Sequence, residues 1–136
     1  MKPLLVLDSN VYISAVLFGG KPRLIIEAAL EGQVRLAVSP FILNEIDAVL
    51  GGDKFGFNTA ARQALINEIS GLAELFQPER SLSLVSADPD DDRILECALS
   101  AGADAVVSGD RHLLELGSCE GIPILNPAAC LQKFIL

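Results

Sequence analysis

Leu4-Leu5-Val6-Leu7-Asp8-Ser9-Asn10-Val11 is the stretch on which the fold turns: four apolar residues, a carboxylate, two polar residues, then apolar character again. A short apolar run without alternation suits a strand covered on both faces, as parallel strands are. Arg35–Val38, Leu82–Val85, Ala105–Val107 and Ile122–Leu125 read the same way. Helical stretches alternate with them. Val11–Phe18 is stopped by Gly19-Gly20, and Pro22 starts a helix that runs to about Glu31. Ser39-Pro40 supplies a cap and a first-turn proline for a helix through Leu50, and Asn58 or Thr59 caps the longest helix, which is expected to reach about Phe76. Further helices are expected from about Asp90 to Ala101, around Leu113, Leu114 and Leu116, and from Pro127. The alternation predicts a three-layer α/β/α domain with four or five parallel strands and helices on both faces. Pro123, lacking an N–H, points to an edge position for the last strand.

A chain of 136 residues, 51% hydrophobic, fits one compact domain over residues 1–136, within which residues 51–80 form a helical insert region. No apolar run is long enough to span a membrane, and Asp8 interrupts the N-terminal apolar run too early for a signal-peptide core, so a cytoplasmic protein is expected. Cys97, Cys119 and Cys130 are widely spaced and form no zinc pattern, so they are read as buried filler. The formal charge is −8, and the ten Lys and Arg residues are scattered, which argues against tight general binding to phosphate backbones. Acids clustered around divalent cations reconcile that acidity with phosphate chemistry, because each ion inverts the local field.

Polar residues just beyond the carboxyl ends of parallel strands are the first functional candidates, since ligands collect there. Asp8 and Asp110 sit at such exits. Glu45 lies on a helical stripe with Phe41, Ile42 and Val49, and a carboxylate on a buried stripe has to be paired, protonated or bound to a metal. Within Asp88-Pro89-Asp90-Asp91-Asp92, Asp91 heads the inward face because Ile94, Leu95 and Ala98 follow at +3, +4 and +7. Asp92 is the second choice, on a mixed face, and Asp88 and Asp90 are read as acids complementing the helix dipole. Four carboxylates converging on one edge repel one another unless a hard cation lies between them, which points to Mg2+ or Mn2+.

These residues resemble a known family. Asp8-Ser9-Asn10-Val11, Ser39-Pro40 leading to Glu45, Asp88-Pro89-Asp90-Asp91-Asp92 with Ile94-Leu95-Glu96-Cys97-Ala98, Ala101-Gly102-Ala103-Asp104, and Val107-Ser108-Gly109-Asp110-Arg111-His112-Leu113 are together similar in order and spacing to PIN-domain proteins, above all the VapC-like toxins of toxin–antitoxin pairs. The resemblance implies a metal-dependent endoribonuclease acting on single-stranded RNA. It carries the family's acids onto Asp8, Glu45, Asp91 and Asp110, with Asn10 and Ser108 as supporting polar groups. It also implies a homodimer and an antitoxin partner. Ser108 stands where threonine is more usual.

Two other folds begin with an aspartate after the first strand. A haloacid-dehalogenase-like phosphatase needs a second aspartate where Asn10 stands, and a receiver domain needs an acidic pair and a late lysine that the chain lacks. The remaining alternatives are a catalytically weak PIN-like binding or scaffold module and an RNA-processing nuclease outside a toxin–antitoxin system. His112 is read as a solvent-facing helix residue. Phe55 and Phe57, beside Lys54, are read as anchors of the helical insert, with stacking on bases as the alternative.

Overall fold

A computed structural model describes residues 2–83 and 88–136. Its elements alternate as the apolar pattern predicts. They are β1 (Leu4–Leu7), α1 (Ser9–Phe18), α2 (Gly20–Leu30), β2 (Arg35–Val38), α3 (Pro40–Gly51), α4 (Thr59–Leu72), β3 (Glu74–Leu75), α5 (Pro89–Ala101), β4 (Ala105–Val107), α6 (Arg111–Leu116), β5 (Ser118–Cys119), β6 (Ile122–Leu125) and α7 (Pro127–Cys130), the last continuing into a π-helical turn, Leu131–Ile135.

The sheet order is β3-β2-β1-β4-β6-β5. All pairings are parallel except that of β5 with β6, so five strands form the parallel sheet that was expected and β5 adds a short antiparallel edge. Leu5, Val6 and Leu7 are wholly buried at its centre, with Leu36, Val38, Val106 and Val107 beside them. Each such side chain contributes on the order of 1.5–3 kcal/mol by leaving water. Helix α5 packs against β1, β2 and β4, while α1 packs on α2 and α3.

Local chemistry sets the ends of the helices. Ser39 Oγ accepts the Ile42 N–H ahead of Pro40, and Asn58 Oδ1 accepts the Ala61 N–H, as the cap residues predicted. Gly19, at φ 74°, takes the left-handed turn that ends α1.

Three expectations need correction. The long helix ends at Leu72, and Glu74–Leu75 pairs with Ala37–Val38 as a strand, with the Phe76 N–H donating to Val38 O at 2.8 Å. The apolar spacing of Leu65, Ile69, Leu72 and Phe76 continues a helix equally well, but the free edge of β2 offers backbone groups that have to be satisfied. Of the strand expected over Leu82–Val85, Leu84 and Val85 lie outside the described residues, and Leu82 and Ser83 are not in a strand. Pro123 also escapes its expected edge, because β6 lies between β4 and β5. It precedes the first registered pair with β4, Val106 opposite Ile124, so its missing N–H leaves that ladder intact.

From β1 the chain moves to β2 and β3 on one side, and later to β4 and β6 on the other. The carboxyl ends of β1 and β4 therefore flank the switch point of the sheet, where open α/β folds form their ligand crevice.

Candidate metal centre

The Asp8 N–H continues the ladder to Val107 O at 2.9 Å, which locks the exit of β1 against that of β4. The Asp8 carboxylate is 4% exposed and makes no capping bond to α1. It is held instead by three donors: Ser108 Oγ at 2.7 Å and Asn10 Nδ2 at 3.2 Å on Oδ2, and Ser9 Oγ at 3.3 Å on Oδ1. Burial raises its pKa, hydrogen bonds from the Ser108 and Ser9 hydroxyls and the Asn10 backbone oppose that rise, and the Asp110 charge adds to it. Ser108 Oγ in turn accepts the Asp110 N–H at 2.9 Å, so one hydroxyl ties the two strand exits together.

Glu45 approaches from α3, where the core stripe is Ile42, Ile46 and Leu50, with Glu45 on its border. Val49, expected in that stripe, is 39% exposed. Glu45 Oε1 takes the Ser9 hydroxyl, and burial together with Asp8, Asp90 and Asp88 raises its pKa.

The first turn of α5 brings the tightest convergence. Carboxylate oxygens of Asp88, Asp91 and Asp110 all lie within 4.8 Å of one another. Asp91 Oδ2 is buried and has no hydrogen-bond partner among the described residues. Desolvation, then the charges of Asp110, Asp88 and Asp8, push the Asp91 pKa up to about 7. Asp110 also caps α6, accepting the His112 N–H at 2.7 Å and the Leu113 N–H at 3.3 Å.

Asp8, Glu45, Asp88, Asp90, Asp91 and Asp110 border one cavity of about 420 Å3, and Lys54 is the one cation among its described lining residues. The four acids singled out from sequence, Asp8, Glu45, Asp91 and Asp110, thus meet in one hollow. Asp88 joins the close triad although sequence reading gave it only a helix-end role. It has that role too, accepting the Asp90 N–H at 3.1 Å, and no signal in the local pattern distinguishes the two. Asp92 is buried but does not border the cavity. Phe57 packs against the core as an anchor, whereas Phe55 borders the cavity.

The donor set suits a hard divalent cation. Bound Mg2+ sits about 2.1 Å from its oxygens, so opposed ligands lie about 4.2 Å apart, within the span of the triad. The unpaired buried oxygen of Asp91 is the atom such an ion would satisfy. The three cysteines are buried away from this cavity, as expected of filler.

Solved structures share the fold. VapBC2 from Rickettsia felis, bound to a DNA fragment from their promoter, is 13% identical with a TM-score of 0.64, covering 90% of this chain and 98% of that one. VapBC from Salmonella typhimurium, DNA-bound, is 20% identical with a TM-score of 0.62 over 93% of this chain and 99% of that one. PAE2754 from Pyrobaculum aerophilum is 17% identical with a TM-score of 0.65 over 98% and 89%. A comparison with curated proteins returns no match. The family itself follows from sequence: the PIN domain pattern matches residues 4–112, and the chain belongs to the PIN-domain family.

Proposed function

We propose that this chain is a Mg2+- or Mn2+-dependent endoribonuclease that hydrolyses phosphodiester bonds of single-stranded RNA, and that it is the toxin of a cytoplasmic toxin–antitoxin pair. The observation that carries the metal reading is the buried Asp91 Oδ2, without a hydrogen-bond partner among the described residues, set among converging carboxylates at the switch point of the sheet. Support for nuclease chemistry comes from membership of the PIN-domain family, and support for the toxin role from the VapBC structures that share the fold. An antitoxin and a second copy of the chain, both implied by the resemblance, belong to the same proposal.

Asp88, Asp91 and Asp110 would hold the cation, with Asp8 and Glu45 beside them. When bound, a divalent ion there lowers the pKa of a water molecule and offsets charge on the phosphate oxygens. The side chains do the rest. Ser108 and Asn10 fix the Asp8 carboxylate through hydrogen bonds, and the Ser9 hydroxyl is shared between Asp8 and Glu45, so the Asp8 oxygens cost little to orient when substrate arrives. Glu45, half-buried with a raised pKa and one oxygen committed to Ser9, has its second oxygen to take the proton of the attacking water. Water oxygen bonds to phosphorus as its proton passes to Glu45, the bond from phosphorus to the 3′ oxygen breaks, and that oxygen takes a proton from solvent.

The test is Mn2+ titration by calorimetry, paired with cleavage of a labelled single-stranded RNA, for the wild type and Asp110→Asn. Mn2+ binding and cleavage that both vanish in the variant are expected. Mn2+ binding without cleavage favours the binding-module alternative, and absence of Mn2+ binding by the wild type overturns the proposal.

A further inference from the structure

The cavity at the switch point has two unlike sides. One is the array of carboxylates. The other is apolar, made by Ile13, Leu17 and Phe18 of α1, Val49 of α3, and Phe55 of the turn after α3. Metal binding has no use for that apolar side. Phe18, 81% exposed at the end of α1, extends that apolar side out to solvent.

The turn that carries Phe55 is built to present it. The Phe55 and Gly56 N–H groups both donate to Gly52 O, at 3.3 and 2.7 Å, and the Phe57 N–H donates to Leu50 O at 2.8 Å. Phe57 then packs into the core, while Phe55, two residues earlier, stays on the cavity. Gly56 between them sits at φ 60°, a conformation that a side chain would strain. Lys54 Nζ lies over the Phe55 ring, 5.4 Å from its centroid, so the cation sits against one face of the ring and a base would stack on the other.

We infer that Phe55, with Phe18 lining the same cavity, is a stacking platform for an unpaired base of the nucleic-acid substrate, and that Lys54 meets the phosphate next to that base. This inference rests on the nuclease reading and assigns to it substrate-positioning residues that lie outside the carboxylate set. The shape of the substrate unit matches the two sides of the cavity. A nucleotide joins an anionic phosphate, which needs a cation among the acids, to a flat apolar base, which needs a ring. Lys54 is the one cation among the described lining residues, so the site offers a single basic contact beside the ring instead of a basic track. Affinity then depends on stacking more than on charge, which fits a chain of net charge −8. A base inside a duplex has no free face, so the platform selects single strands.

The experiment measures fluorescence anisotropy of a labelled single-stranded oligoadenylate with the full chain, Ca2+ replacing Mn2+ so that the complex persists. Phe55→Leu keeps the apolar volume and removes the ring. It is expected to weaken binding about ten-fold, with Phe55→Trp at least matching the wild type. Lys54→Gln is expected to flatten the dependence of log K on log salt by about one phosphate contact. Calorimetric Mn2+ affinity should be unchanged in both Phe55 variants and no weaker in Lys54→Gln, which shows that each is folded around an intact metal centre. Binding by Phe55→Leu equal to the wild type, with RNA cleavage intact, overturns the platform and leaves the nuclease reading standing. Failure of the wild type to bind any single-stranded RNA overturns both.

Discussion

Helix α5 carries two carboxylates with the same 6% exposure and opposite circumstances, Asp91 in its first turn and Glu96 in its middle. Glu96 Oε2 accepts the Leu82 N–H at 2.7 Å and pairs with Arg93 at 2.7 Å, and Arg93 donates to Leu82 O at 2.9 Å. The bracket holds both backbone groups of Leu82 as a neighbouring strand would, and it is neutral within itself. Asp91 has like charges for neighbours and one oxygen without a partner among the described residues. Burial alone does not separate an acid that holds the chain together from one that holds a ligand. The partners do, because a buried charge has to be compensated either by the protein or by something that binds to it.

That contrast can be broken most sharply at the acidic end. Asp8→Asn or Asp110→Asn should lower Mn2+-dependent RNA cleavage by roughly 100-fold or more while the folded far-UV spectrum is retained. Equal activity in both variants would remove the site assignment. The bracket should respond in the opposite sense. Glu96→Ala leaves Arg93 and the Leu82 N–H without their acceptor and should cost about 2 kcal/mol, a drop in Tm of roughly 5–10 °C, with cleavage per folded molecule nearly unchanged. Asp91→Asn removes repulsion, so the metal-free protein should melt a few degrees higher than the wild type, and the rise in Tm that Mn2+ gives the wild type should be lost. If Asp91→Asn and Glu96→Ala shift the metal-free Tm in the same direction, the two acids are not the opposites that their partners indicate.

The central half of this architecture was legible and the flank was not, for a physical reason. β1, β2, β4 and β6 are marked by short apolar runs, and each acid at a strand exit inherits its place from the strand, so Asp8 and Asp110 could be read directly. Asp91 was legible from the apolar positions that follow it on its own helix. Asp88 was not, because its contact with Asp110 joins residues 22 apart in sequence on different elements, and periodicity records only neighbours on one element. β3 was hidden for a related reason, since its two residues are strand only because β2 offers them an edge. Phe55 and Phe57 read as a matched pair, and the glycine turn between them sends one to the cavity and the other to the core.

The metal-free protein also carries the contrast in its pH dependence. Asp91 has a folded pKa of about 7, above its ordinary value of 3.8, and those of Asp8 and Glu45 are raised as well. A raised carboxylate pKa means that the folded state binds the proton more tightly than the unfolded chain does. The resulting stability is complete below the unfolded pKa and is lost as pH climbs through the folded one. Tm without metal should therefore fall between about pH 4 and pH 7. The fall should be shallower in Asp91→Asn, and saturating Mn2+ should offset most of it. A Tm that rises over this range would mean that the acids are already paired within the protein.

The smallest expected difference is between Asp91 and its neighbour. Asp92 is 3% exposed, borders no part of the acidic cavity, and its charge is felt at Cys119 on the β5 edge. One step along a helix turns a side chain by about 100°, enough to move a carboxylate from one environment to another. Asp92→Asn should therefore alter Tm through its buried contacts while changing Mn2+ affinity and cleavage less than about three-fold, in contrast to the loss in Asp91→Asn. Should Asp92→Asn be the variant that loses the metal, the first turn of α5 presents the other face to the cavity, and the convergence of Asp88, Asp91 and Asp110 is not the one the ion uses.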